Sequence, residues 1–335
     1  MTFIVGDKVT IGSDPTVWTV GNNGVGVWVV NSLGVGSWAA ESSLKLVPPT
    51  AGVDPLSLIM PGPLVEYPNA INTGCPTGTV LTNVGAYTTK FDGEVITHKN
   101  FTGLVKIAHK DVIMKFCKVN ASVSSSTPQI DVNGANFKIW NVSIGTATTP
   151  HYGAGIRVHG TATMRRLNIQ QIADGVWFYD GNANDLQDSY IHDNHHFAHD
   201  PGYGGADTHC DGMQAKWGTN WVIKHNRIEC WQVEDGGVAG SRKGGTQTTG
   251  AGFYTTDYPI DGVLFEDNIW RGKASAYINC VGYPTIAQSS GKPRAHCRNI
   301  TVKNNIFGSE TPSSYWVKGN AENYVVTGNK LWSGQ

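Results

Sequence analysis

The chain has 335 residues, a formal net charge of −1, 40% hydrophobic residues and only 15% charged ones. A near-neutral chain without a lysine or arginine run is a poor nucleic-acid binder, and no apolar stretch approaches the ~18 residues of a membrane span. The 41 glycines, with frequent Asn, Thr and Val, favour strands and tight turns over helices.

Residues 1–48 predict five short strands, over 3–11, 16–20, 25–30, 38–40 and 43–47, separated by Gly and Asn turns. That density suits a small β-barrel-like module with Trp18, Trp28 and Trp38 as core candidates. Residues 49–74, opened by a Pro-rich stretch, read as a linker and lead-in to a second domain. The N-terminus has no charged segment followed by an apolar run, so no secretory signal is expected.

From residue 75 to 335 the dominant signal is an internal repeat. Its pattern is apolar, two variable residues, Asn or a small residue, one variable residue, apolar. It begins at Met114, Ile139, Met164, Leu186, Ile223, Phe265, Val302 and Val326. The short steps between these are 22 to 25 residues, and the longer ones are a short step plus a loop. A second strand recurs after Gly155, Gly175, Gly212 and Gly252, where glycine is expected to supply a positive-φ corner. Stacked coils about 4.8 Å apart would bury the repeated aliphatics. Asn226, Asn268, Asn305 and Asn329 share one repeat position and should form a side-chain ladder. The expected fold is therefore all-β: a right-handed parallel β-helix of about eight or more coils behind a small N-terminal barrel.

Six cysteines occur without CxxC or zinc spacing. Cys117 falls at a core position. Cys280 with Cys297, and Cys210 with Cys230, are two pairs that a bridge could join, and the sequence leaves both open.

Two excursions interrupt the repeat at equivalent places in adjacent coils, over 192–210 and 229–250, and should wall a groove. Five of the 11 histidines lie between 192 and 209. Acid–base cleavage of a glycan needs two opposed carboxylates, or a base with a cation. The catalytic candidates are His209, Asp211, Asp207, Glu234, Asp235 and Arg242. The substrate-binding candidates are His192, His195, His196, Tyr203, Trp217, Trp231 and Lys243, the aromatics because sugar C–H faces stack on rings. Trp177 and Trp221 alternate with apolar neighbours, so each reads as groove or core. Asp211 before Gly212 repeats Asp174 before Gly175, so it also reads as a corner cap. Asp207, His209 and Asp211 alternate along one strand, but Ca²⁺ would want more oxygens and Zn²⁺ more nitrogens. No metal or cofactor is assigned, and Ca²⁺ is the one ion left open.

The Asn-x-apolar ladder resembles the pectate-lyase-like superfamily of parallel β-helices over roughly residues 75–332. The stretch Thr208-His209-Cys210-Asp211-Gly212-Met213-Gln214 is similar to a His-x-Asp-Gly-Ile-Gln strand in β-helix proteins of actinobacteriophage tails, with Met213 in place of Ile. The start Gly6-Asp7-Lys8-Val9 and residues 14–20 resemble Src-homology-3-like modules of actinobacteria and their phages. The resemblance implies a minor tail or tailspike protein of a phage virion that recognises a cell-surface polysaccharide of its host. It implies other virion tail proteins as partners. Many tailspike helices trimerise, so a homotrimer is the implied assembly, although the sequence contains no heptads to drive one. Two alternatives stay open: a polysaccharide lyase or glycoside hydrolase acting in the loop groove, and a purely structural virion component. No catalytic motif of the superfamily carries over intact.

Overall fold

The computed structural model describes residues 8–11, 18–21, 27–31, 36–39, 44–46, 59–121, 127–146, 150–200, 204–234, 242–244, 249–254, 259–281, 297–319 and 321–333. The chain divides into two compact units, Met1–Ile59 and Met60–Gln335.

In the first unit, strands Lys8–Ile11, Trp18–Gly21, Val27–Asn31, Gly36–Ala39 and Leu44–Leu46 form an antiparallel sheet. The first four make a meander, and the fifth returns to pair with the first. No pair closing this sheet into a barrel is present among the described residues.

The second unit is a parallel β-helix. The coils stack their strands in three parallel sheets, the first including Ile260–Glu266, the second Ile269–Arg271 and the third Ala276–Val281, and the repeat residues stack in register. Met114 lies beside Ile139, Ile139 beside Met164, Met164 beside Leu186, and Leu186 beside Ile223. Phe265, Val302 and Val326 continue the column. All but the last are fully buried, and each buried aliphatic contributes about 1.5–3 kcal/mol. Phe178, Trp221, Phe253 and Phe265 form a chain of ring contacts inside, with centroids 5.1 to 5.7 Å apart. Trp221 is therefore core.

Between the first and second sheets the chain turns on a single left-handed residue. In successive coils this is Phe116, Asn141, Arg166, Asp188, His225, Asp267 and Asn304, with φ between 50° and 56°, and then Gly328. A non-glycine residue in this region costs on the order of 1 kcal/mol or more. In the later coils the next residue repays the strain by hydrogen bonding across coils. The N–H of Asn226 donates to Oδ1 of Asn268 (2.9 Å), that of Asn268 to Oδ1 of Asn305 (3.0 Å), and that of Asn305 to Oδ1 of Asn329 (2.8 Å). Each side-chain amide donates in turn to a backbone carbonyl of the preceding coil: Asn226 to Leu186, Asn268 to Ile223, Asn305 to Phe265 and Asn329 to Val302. Ser189 extends the ladder, donating its N–H to Asn226 and accepting at Oγ from the N–H of Leu167.

Two expectations need correction. The glycines that open third-sheet strands are not positive-φ corners, since none of Gly155, Gly175, Gly212 and Gly250 lies in that region. They permit close approach instead: a Cβ on Gly175 would sit 2.3 Å from the carbonyl oxygen of Gly212, and one on Gly212 would sit 2.6 Å from that of Gly250. The residue equivalent to Gly212 is Gly250 rather than Gly252, because Met213 pairs with Ala251. The six cysteines are all buried and unbridged, including both candidate pairs.

Residues 62–75 pack along the outside of the ladder corner. Tyr67 stacks on His225 (4.7 Å) and donates its hydroxyl to Asp267, and the N–H of Gly74 donates to the Arg166 carbonyl. Replacing Asn268 with Ala would strand the Asn226 N–H and the Ile223 carbonyl in a buried corner. The expected loss is about 2–4 kcal/mol in urea unfolding, whereas an alanine at Lys106, an exposed mid-strand position, should cost under about 0.5 kcal/mol.

Candidate functional site

The site is built where the third sheet begins. Its strands include His151–Val158, Ile172–Phe178, Met213–Ala215, Thr249–Tyr254 and Ala276–Val281, all parallel. Alternation puts Val176, Phe178, Met213 and Ala215 in the core and turns Asp131, Arg157, Trp177, Gln214 and Asn279 outward in one row across the coils. Trp177, Tyr179, Gln214 and Lys216 line a cavity on this outer face. The Lys216 ammonium lies 4.2 Å from the centre of the Tyr179 ring and donates to its hydroxyl. His159 tilts against the same ring at 4.8 Å. Arg157 is paired in a two-pronged contact with Asp131, at 2.9 and 3.1 Å.

Two of the cavity residues are bonded to buried carboxyls in adjacent coils. Asp174 accepts from the Asp211 N–H (2.7 Å) and from the indole N–H of Trp177 (2.9 Å). Asp211 accepts from the Thr249 N–H (2.7 Å) and hydroxyl (2.5 Å), and from the Gln214 amide (2.8 Å). Burial, and then the neighbouring Asp211, push the Asp174 carboxyl well above the ordinary range. Asp211 is also raised by burial, against the pull of its Thr249 and Gln214 donors. The two therefore retain a proton as a pair at pH values that ionise an ordinary carboxyl. With no exposed surface and every oxygen engaged, Asp211 has no direct access to a substrate.

The two excursions do come together. Strand Asn194–His196 pairs in parallel with Trp231–Glu234, which pairs antiparallel with Arg242–Gly244. His196 lies opposite Glu234, its Nδ1 2.8 Å from Glu234 Oε2 and its Nε2 3.5 Å from Asp207 Oδ2. The Gln232 amide donates to the other Glu234 oxygen at 3.1 Å. Asn194 and His196 share a strand face, and the Asn194 amide donates to the carbonyls of Ala173 and Asp211. That face thus looks toward the start of the third sheet. Asp207 is half exposed and His209 exposed.

Two of the histidine candidates are packed inside the fold. His192 is buried, stacked on Tyr190 at 4.0 Å, with its ring nitrogens facing Asp193 and Asn168. His195 is fully buried, facing Gln171 and tilted on Phe197. Trp217 and Trp231 are partly exposed. Tyr203 and Asp235 lie outside the described residues, and Arg242 and Lys243 are described only as strand backbone. Among the described residues no cluster of His, Cys, Asp or Glu is arranged to hold a metal. Sequence reasoning missed Tyr179, Gln214 and Lys216. Their signal was the period-2 alternation after Gly175 and Gly212.

No family profile matches the sequence, and no curated protein matches it. Two solved structures are similar. One is an alginate lyase from Paenibacillus sp. str. FPU-7, with 12% identity and a TM-score of 0.34 over 74% of this chain and 98% of that one. The other is the tailspike protein gp49 of Acinetobacter baumannii bacteriophage Fri1, a capsular polysaccharide depolymerase, with 8% identity and a TM-score of 0.28 over 73% of this chain and 52% of that one.

His151 opens a third-sheet strand with only 3% of its surface exposed, and its Nε2 has no hydrogen-bond partner. Burial pushes its pKa down from 6.5 to about 4. The unfolded chain therefore takes up this proton at higher pH than the folded one, and stability falls as pH drops from about 6.5 to about 4. His151→Phe should flatten the Tm-versus-pH curve across that window, and an unchanged slope would contradict the assignment.

Proposed function

We propose that this protein binds a cell-envelope polysaccharide on the outer face of the third sheet, beside the paired loops, as a component of a phage tail. The observation that carries the binding reading is the cavity formed by Trp177, Tyr179, Gln214 and Lys216. A sugar ring offers an apolar C–H face to an aromatic plane and hydroxyls to an amide and an ammonium, so these residue types match its two surfaces. The groove is preorganised, because the indole and the amide are each tied to a buried carboxyl, which limits the ordering cost of binding. The resemblance of residues 208–214 to a strand of phage tail proteins, and of the N-terminal module to modules of actinobacteria and their phages, supports the virion setting.

A second reading is cleavage of the bound glycan. His196, held at Nδ1 by Glu234 and facing Asp207 with Nε2, has the form of an oriented acid–base group on the loop wall.

Binding is tested on an array of envelope polysaccharides. Trp177→Ala should weaken retention of the bound glycan about tenfold or more, the cost of losing one stacking platform of ~1.4 kcal/mol, and should lower Tm as well, because buried Asp174 loses its indole donor. Absence of binding to every envelope glycan would overturn the proposal, and absence of the protein from purified virions would overturn the tail assignment. The same incubations are read for new reducing ends and for unsaturated-uronate absorbance. Cleavage lost in His196→Ala while binding persists supports the second reading, and intact glycan with wild-type protein rejects it.

A further inference from the structure

The buried pair Asp174 and Asp211 is more elaborate than a corner of the solenoid requires. Neighbouring coils turn the same corner with Ala154 and Ala276, which align with Asp174 and Thr249. Placing two carboxyls in adjacent coils of a dry corner is costly unless each oxygen has a donor. Here the donors include the two outward side chains of the cavity. Trp177 sits three residues after Asp174, and Gln214 three residues after Asp211. Each reaches back along its own strand to its own carboxyl, at 2.9 and 2.8 Å. The two arms are joined because the Asp211 N–H donates to Asp174, and Asp211 is anchored to the next coil through both Thr249 donors. The unit Thr249–Asp211–Asp174 thus spans three coils and ends in the two groups that face the cavity.

We propose that Asp174 and Asp211 are positioning residues for glycan binding, fixing the Trp177 indole plane and the Gln214 amide at the spacing that one sugar unit bridges. This rests on the reading of the cavity as a sugar site. Neither carboxyl touches the ligand. Asp174 sets the rotation of the indole about its side-chain bonds, and Asp211 sets which face of the Gln214 amide is presented. With its Nε2 committed to Asp211, Gln214 presents its carbonyl oxygen outward as an acceptor for a sugar hydroxyl.

The test combines Asp174→Asn, Trp177→Phe and the double variant in the full chain. Trp177 is one of 11 tryptophans, so its emission is taken as the difference between a protein and its Trp177→Phe counterpart. The amide of Asp174→Asn places an N–H₂ against one of the two N–H donors, of Asp211 and Trp177, that face the Asp174 carboxyl. The Trp177 difference spectrum should then shift and become more accessible to iodide, while far-UV circular dichroism is unchanged. Affinity for the polysaccharide identified on the array should fall about tenfold in each single variant, and by no more in the double variant, because both remove one contact. Trp177→Phe leaves both carboxyls in place, so it reports even if Asp174→Asn does not fold. Wild-type affinity in Trp177→Phe would then overturn the proposal. An unchanged Trp177 spectrum in folded Asp174→Asn, or additive losses in the double variant, would also overturn it. If wild-type protein binds no glycan, the sugar-site reading fails separately, and the spectrum alone decides whether Asp174 positions the indole.

Discussion

The structure depends on one recurring constraint: each coil turns on a single left-handed residue, and the next position must recover the strain. In the later coils an asparagine does so by satisfying its own coil and the preceding one together. Its oxygen takes the N–H of the previous ladder residue, and its amide takes a carbonyl one coil back. Both partners are buried, so a missing amide leaves unpaired polar groups on two coils. In the earlier coils Cys117, Val142 and Leu167 occupy the same position and are fully buried in the core. The corner thus has two solutions, one apolar and one amide-based, with Ser189 at the junction between them. Its hydroxyl accepts from Leu167, and its N–H donates to Asn226.

Register held this tightly determines what can be built outside the core. Residues far apart in the chain fall into rows, so loops at equivalent corners become neighbours and their strands pair, as 194–196 and 231–234 do. The same logic brings Asp174 under Asp211 and Trp177 beside Gln214. A rigid stack thereby presents outward groups at the repeat spacing, which suits an extended polymer better than a small, enclosed ligand. Preorganisation comes from the scaffold and needs no closing lid.

Much of the fold was legible because the repeat is carried by side-chain type at fixed spacing. The residues from Met114 to Val326 stack as the spacing implies, and the asparagine positions bond to each other. The role of the glycines was less legible. A glycine that avoids a collision with the next coil looks, in sequence, like one that adopts positive φ, and the long loop before Gly250 hid its equivalence to Gly212. At the site, clustered histidines suggested exposed chemistry, yet His192 and His195 are buried and engaged with Asn168 and Gln171. Such contacts between residues in different coils depend on registers that a single sequence does not display. Trp177 was ambiguous because alternation separates two faces without saying which is outward. The core column through Phe178 and Trp221 resolves it.

The proposal that the outer face of the third sheet takes a sugar chain can be tested by direct observation. The most direct measurement is a crystal structure of the protein with an oligosaccharide fragment of the envelope polysaccharide it retains. A sugar ring is expected in van der Waals contact with the Trp177 indole, with a polar group of the same unit within hydrogen-bonding reach of Gln214 or Lys216. An oligosaccharide seated elsewhere, with the Trp177–Lys216 face bare, would contradict the proposal.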